Sequence, residues 1–182
     1  MTQRDLDSYQ IQQSYGCHSV ISVIVVTFDN KYALCGLLNG KVIRVCPKNF
    51  QVVTSPEKIH LAAIYAMAAT KNNRFLVTTS RDGDIKKLSV DTLEILQDYG
   101  NIWMIIILSI CLTPDDRQLF LWDAMCNLLL IRVEDGMLIQ DFGRIDTNHV
   151  EGPQSMFLGK DGKYLFTSDV RGTITQFMVR DR

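Results

Sequence analysis

The sequence predicts an all-β fold made of four repeats. One turn signal recurs with steps of 43, 43 and 46 residues, at Gly40, Gly83, Cys126 and Gly172. A second turn signal keeps the same steps, and it starts at Thr27, Thr70, Thr113 and Gly159. Between the turns lie short apolar stretches, with turn residues roughly every eight to twelve positions and no long stretch of helical periodicity. Two turn signals in one register indicate a single structural unit that is repeated four times.

Each repeat contains stretches of strand character in a fixed order. The innermost stretches are apolar: "SVIVVT", "IYAMAAT", "IIILSICLT" and "QSMFLG". A hairpin turn rich in Asp, Asn, Gly and Lys leads to "YALCGL", "FLVTTS", "LFLWDA" and "YLFTSD". The third stretches are "KVIRV", "DIKKL", "NLLLI" and "TITQF", and the fourth are "FQVVTS", "LEILQDYG" and "MLIQDFG". Apolar residues on both faces of the inner strands predict sheets that stack face to face.

These patterns resemble the WD-repeat β-propeller family over essentially the whole chain. "TPDDRQL" is similar to the family's first turn and "SRDGDIKKL" to its second, and the three histidines stand where the family has Gly-His. The resemblance implies four four-stranded blades per chain, over residues 16–58, 59–100, 101–143 and 144–182, the last completed by residues 7–16. The Trp-Asp dipeptide that closes the third strand in the family is absent from all four repeats.

The resemblance also implies structural roles for particular side chains. The family's buried hydrogen-bond network is matched best in the second repeat, by His60, Ser80 and Asp82, with Leu88 in place of Trp. His18 and His149 occupy the equivalent of His60, and Trp103 stands there in the third repeat. We therefore interpret the three histidines as structural residues. Because the repeats are degenerate, the fold is expected to depend more on apolar packing than on this network.

The N-terminal segment repeats a fourth-strand sequence. "DSYQIQQSYG" at residues 7–16 matches "DTLEILQDYG" at residues 91–100 at Asp, Ile, Gln, Tyr and Gly, while the fourth repeat stops after its third strand. We expect this segment to complete the last blade, either of its own chain or of a partner chain. The favoured assembly is a homodimer with an eight-bladed ring, formed by strand exchange. A closed four-bladed monomer, a fragment of a longer propeller and a half-propeller completed by another protein stay open.

Composition narrows the function classes. A net charge of −1 offers no electrostatic footprint for nucleic acid or an anionic membrane. The longest apolar run, residues 102–112, is too short to span a bilayer, and the chain opens with no signal-peptide pattern. The five cysteines form no C-x-x-C pair, which indicates reduced thiols. These features predict a cytoplasmic protein without a nucleic-acid or membrane partner.

Nothing in the sequence indicates catalysis, a cofactor or a metal. It contains no H-x-H, H-E-x-x-H or Cys/His cluster. The carboxylates that could be considered for catalysis lie in predicted turns: Asp29, Asp82, Asp115, Asp116 and Asp161. The predicted function is therefore a scaffold that binds a protein or peptide, and no small-molecule substrate is expected. The alternatives are a subunit of a larger complex and an enzyme with a site at the channel mouth. Candidate partner-binding residues are Arg81, Trp103, Leu38, Val170 and Arg171, together with the loop at residues 144–154.

Overall fold

The computed structural model describes residues 14, 16–55, 58–101, 105–145 and 153–179. These residues form fifteen strands in four antiparallel sheets. The first sheet contains β1 Ile21–Val26, β2 Ala33–Leu37, β3 Val42–Cys46 and β4 Gln51–Thr54. The second contains β5 Ile64–Ala69, β6 Phe75–Ser80, β7 Ile85–Ser89 and β8 Ile95–Gly100. The third contains β9 Ile107–Leu112, β10 Gln118–Asp123, β11 Asn127–Arg132 and β12 Leu138–Arg144. The fourth sheet is β13 Pro153–Leu158, β14 Tyr164–Asp169, β15 Ile174–Met178. The predicted all-β propeller of four blades is confirmed.

The same turn chemistry closes the first hairpin of three blades. In the first blade, Thr27 Oγ1 donates to a carboxylate oxygen of Asp29 at 2.7 Å, and Asn30 takes a left-handed φ of 56°. Asn and Asp tolerate this region of φ better than most residues. The equivalent residues of the second and third blades are Thr70, Asn72 and Asn73, and Thr113, Asp115 and Asp116. The turn signal that starts at Thr27, Thr70 and Thr113 therefore has a physical basis in a repeated side-chain hydrogen bond.

Neighbouring blades stack through apolar cores. The inner strand β5 contacts β1 on one side and β9 on the other, and β9 in turn contacts β13. We call the side of a blade that points to the next blade its forward face, and the opposite side its rear face. Equivalent positions in the repeats bury equivalent side chains: Leu34, Val77 and Phe120 are buried on forward faces, and Met67, Ile110 and Met156 on rear faces.

The outer parts of the blades are joined by polar contacts. The guanidinium of Arg44 in β3 donates to the backbone carbonyls of Val90 and Asp91 in the second blade. The hydroxyl of Tyr99 in β8 donates to the carbonyl of Val133 in the third blade. A third or fourth strand thus reaches forward to the turn of the following blade.

Within the described ranges, the first and last blades do not meet. No strand of the first blade contacts a strand of the fourth among the described residues, and β1 in particular has no contact with β13. The four blades therefore form an open arc, and the closed four-bladed ring that the sequence left open is not formed by these strands. The predicted completing strand at residues 7–16 lies outside the described residues except for Ser14 and Gly16, which are exposed.

Two further sequence-based expectations concern cysteines and membranes. All five cysteines are free thiols; Cys35 and Cys126 are buried, and the other three are half-buried. Burial raises the pKa of the Cys111 thiol to about 12. Over the part of the chain that the structure describes, no helix has the length and hydropathy needed to cross a bilayer.

Candidate interaction surfaces

The rear face of the first blade exposes apolar side chains near its inner strand. Ile24 is 59 % exposed, and Val26 on the same face is exposed as well. The residues equivalent to Ile24 in the three following blades are all buried: Met67, Ile110 and Met156. Farther out on this face, Cys35, Leu37 and Ile43 are buried, with Cys17 packed against them. The uncovered part of the rear face is therefore the strip along β1.

The forward face of the fourth blade exposes a larger apolar area. Ile174 is 76 % exposed and Phe157 is 63 % exposed, and Phe166 and Met178 add to the same surface. The positions equivalent to Ile174 in the preceding blades are all buried between blades: Val42, Ile85 and Leu128. The fourth blade therefore exposes on its forward face the positions that the other three blades bury against a neighbour.

A groove of about 910 Å³ lies between the third and fourth blades, beside the outer edge of β15. Its apolar wall includes Phe120, Phe142 and Phe177, and the rings of Phe120 and Phe142 lie 6.2 Å apart between centroids. In the other three blades a fourth strand lies at this edge. We call this space the outer groove.

The turns after the second strand of each blade form one end of the propeller, which we call the loop face. The sequence-predicted residues Leu38, Arg81, Val170 and Arg171 are all exposed there. Trp103 and most of the loop at residues 144–154 lie outside the described residues.

Two residues that the sequence analysis did not select also belong to the loop face. Leu61 is 86 % exposed, and its N–H donates to Asp82 Oδ2 at 2.8 Å beside the turn that carries Arg81. Met125 is exposed in the equivalent turn of the third blade. The signal for Leu61 was available in the sequence, since it directly follows the structural histidine of its repeat.

His60 is buried in the second blade and organises this turn. Its Nε2 lies 2.9 Å from Thr78 Oγ1, and its Nδ1 lies 3.4 Å from Asp82 Oδ1 without hydrogen-bond alignment. The hydroxyl that meets the ring is thus that of Thr78, whereas Ser80 accepts the N–H of Asp82. Leu88, at the position of the family Trp, is fully buried.

The electrostatics of this cluster favour a neutral histidine and an ionised aspartate. Burial lowers the pKa of His60 below its usual 6.5, although the carboxylate of Asp82 opposes this effect. Burial alone would raise the pKa of Asp82, but hydrogen bonds from the N–H groups of Asp84 and Leu61, together with His60, lower it overall. Oxygen and nitrogen atoms of His60, Asp82 and Asp84 lie within 4.8 Å of one another.

Both oxygens of Asp82 and one oxygen of Asp84 already have partners near the turn. Asp82 Oδ1 accepts the N–H of Asp84 and Oδ2 that of Leu61, while the carboxylate of Asp84 lies 3.6 Å from the ammonium of Lys86. The arrangement therefore clamps a turn. His18, at the equivalent place in the first blade, is exposed, and His149 lies outside the described residues.

The carboxylates beside the outer groove are likewise engaged in turns. Asp115 accepts the hydroxyl of Thr113 and the N–H of Arg117, and Asp161 accepts the N–H of Lys163. General acid–base catalysis by a pair of carboxylates needs two carboxylates that can both reach one reacting group.

A comparison with protein-family models gives no match for this chain, and a comparison with curated proteins gives none either. Membership of the WD-repeat family therefore stays an expectation from the sequence.

Proposed function

We propose that the protein is a non-catalytic protein-interaction scaffold, two copies of which join end to end in an eight-bladed ring. The observation that carries the proposal is the exposure of Ile24 and Ile174 at positions that are buried at every internal blade junction. Exposed apolar surfaces of this kind are typical of protein interfaces. The turn-bound histidine and carboxylates support a non-catalytic role, and the free thiols fit a cytoplasmic location.

A second copy is the partner that best fits the end faces. Within the chain, each forward face packs on the rear face of the next blade, and this happens three times. The uncovered forward face of the fourth blade and the uncovered rear face of the first blade are the two halves of the same kind of junction. Two copies related by a two-fold axis satisfy both faces at once, and eight blades are within the usual range for propellers.

The test is the mass in solution, measured by light scattering across a dilution series. Wild-type protein should persist at twice 20.7 kDa, and Ile24→Asp or Ile174→Asp should give monomers because each buries an unpaired carboxylate in the junction. Leu61→Asp is the matched control, since it changes an exposed apolar residue on the loop face and should stay dimeric. A monomeric wild type, or end-face variants as dimeric as Leu61→Asp, would refute the ring.

The loop face is the proposed docking surface for a protein or peptide. Its exposed apolar side chains are Leu38, Leu61, Met125 and Val170, with Arg81 among them. Arg is enriched at binding hot spots, and apolar anchors supply most of the area that becomes buried. Trp103, which the sequence assigns to the same end, belongs to this proposal.

Quantitative affinity capture tests this surface. Wild type and the double variant Leu61→Asp/Arg81→Glu are compared, with Leu96→Asp on an outer edge strand as the matched control. A specific partner should be lost with the double variant and kept with the control. Equal recovery on all three proteins would place the partner elsewhere.

A further inference from the structure

We propose that the outer groove receives residues 7–16 of a second copy as the fourth strand of the fourth blade. The proposed register sets Ser14 opposite Thr175, Gln13 opposite Gln176 and Ile11 opposite Phe177. The inference rests on the proposed ring of two copies and adds to it a strand exchange with a defined pairing.

The first argument is the position of the groove. The outer edge of β7 pairs with β8, and that of β11 pairs with β12. The outer edge of β15 pairs with no strand among the described residues. An unpaired edge beside an apolar groove is the arrangement in which an added strand binds, because main-chain hydrogen bonds supply affinity and the groove selects side chains.

The second argument is a motif that marks the end of an outer strand. The sequences "QDYG" at residues 97–100 and "QDFG" at residues 140–143 close β8 and β12. In both, the Asp carboxylate accepts the N–H of the Gly, at 2.9 Å and 2.7 Å, and the Gly takes a left-handed φ of 68° and 71°. Residues 13–16 read "QSYG", and a Ser hydroxyl can accept the same hydrogen bond.

The third argument is that two blades use one register. In the second blade Lys86 pairs with Asp98, and Lys87 with Gln97. In the third blade the equivalent pairs are Leu129 with Asp141, Leu130 with Gln140 and Ile131 with Leu138. The residues of β15 equivalent to Leu129, Leu130 and Ile131 are Thr175, Gln176 and Phe177, and the repeated motif aligns Ser14, Gln13 and Ile11 with their partners.

The aromatic residue of the motif has a defined place as well. Tyr99 lies against Gly136 and donates its hydroxyl to Val133, both in the following blade. For a strand donated to a partner's fourth blade, the following blade is the first blade of the donor itself. The equivalent of Gly136 in the donor's own first blade is Phe50, which has a left-handed φ of 52°. Because a Cβ at Gly136 would lie 2.6 Å from the ring of Tyr99, Tyr15 would have to pack against the side chain of Phe50 and not over its backbone.

The reach of the chain favours a second copy as the donor. Gly16 and Ile21 are five residue steps apart, which span about 17 Å when fully extended. β15 lies two strands out from β13, which does not contact β1. The same five steps just reach the outer strand of an adjoining blade, because three strand spacings of about 14 Å within the sheet and about 10 Å between stacked sheets combine to about 17 Å.

Cysteine cross-linking between two full-length copies tests the register. A Gln13→Cys copy is mixed with a Gln176→Cys copy and oxidised mildly, and the linked peptides are identified by mass spectrometry. Residues opposite each other in neighbouring strands have Cβ atoms close enough for a disulfide. The matched control replaces Gln176→Cys by Thr175→Cys, because adjacent residues of the regularly paired strand β15 point to opposite faces of the sheet.

We expect at least tenfold more of the 13–176 product than of the 13–175 product, and at twice 20.7 kDa. Equal yields, or no product, in a wild-type-like dimer would overturn the strand assignment and leave the ring intact. A variant that carries both cysteines and closes the disulfide within one chain would overturn donation by the second copy. A monomeric wild type in light scattering would overturn both proposals.

Discussion

Truncation of Ile174 gives the most quantitative test of the end-to-end ring. Ile174→Ala removes three carbon atoms from a side chain that is 76 % exposed in the single chain. At about 0.8 kcal/mol per buried carbon, covering the exposed part contributes about 2 kcal/mol to one junction. The two-fold ring contains two such junctions, so the variant should lose about 4 kcal/mol and weaken dimerisation by several hundredfold, at about 1.4 kcal/mol per factor of ten.

Sedimentation velocity across a dilution series measures this change in the dissociation constant. The fold of the variant should be unaffected, because the exposed side chain makes little contact within its own chain, and thermal unfolding of the monomer checks this. Leu61→Ala provides the control, since it truncates an even more exposed side chain away from the junction. A change below threefold for Ile174→Ala, or an equal change for both variants, would refute the reasoning.

Three other predictions concern the stability of the fold. Because burial lowers the pKa of His60, the unfolded chain takes up a proton at higher pH than the folded chain, and the free energy of unfolding should fall as the pH drops below 6.5. Urea denaturation of His60→Gln should show a smaller decrease of this free energy over the same pH range. Gly40 and Gly172 have φ values of 82° and 83°, but a Cβ at Gly40 would lie 1.9 Å from the His60 carbonyl oxygen, whereas the space at Gly172 is open. Gly172→Ala should therefore cost about 1–2 kcal/mol and Gly40→Ala clearly more; equal losses in chemical denaturation would contradict the clash. Burial raises the pKa of Tyr99 to about 12, so its hydrogen bond to Val133 should stabilise the fold below pH 10 and be lost as the pH rises towards 12. Tyr99→Phe should lower the free energy of unfolding by about 1 kcal/mol at pH 7 and remove the decrease in stability between pH 10 and 12.

The strands could be predicted from the sequence because the turns carry their own chemistry. A Thr hydroxyl bonded to an Asp or Asn two residues later closes the same hairpin in three blades, so the spacing of these residues reports the spacing of the hairpins. The stretch "DIKKL", predicted as a third strand, lies in β7 Ile85–Ser89 accordingly. Once the turns are located, the apolar stretches between them are identified as the inner strands.

The details of the buried network could not be predicted in the same way. Thr78 and Ser80 lie two residues apart on β6 and therefore share a face of the sheet, so both hydroxyls were compatible with a contact to His60. In the structure it is the hydroxyl of Thr78 that contacts the His60 ring. The distinction depends on how far the preceding loop reaches across the sheet, which no local pattern encodes.

The open ends of the arc were also beyond the sequence. Every blade is apolar on both faces, whether or not a neighbour covers it, so Ile24 and Met67 look alike as residues. Only the packing reveals that one is exposed and the other buried. The angle between blades decides whether a chain of four closes on itself, and that angle is a property of the assembled backbone.

The forward and rear faces also have a consequence for the state of aggregation. A junction between a forward face and a rear face joins two different surfaces. A series of such junctions therefore stops growing only when the last copy binds the first. If the angle between blades were slightly altered, the same surfaces would join copy after copy into a filament. A substitution that tilts one blade, such as a bulky residue at Gly36 where a Cβ would lie 2.8 Å from Ile64, therefore endangers the finite size of the assembly without touching either end face.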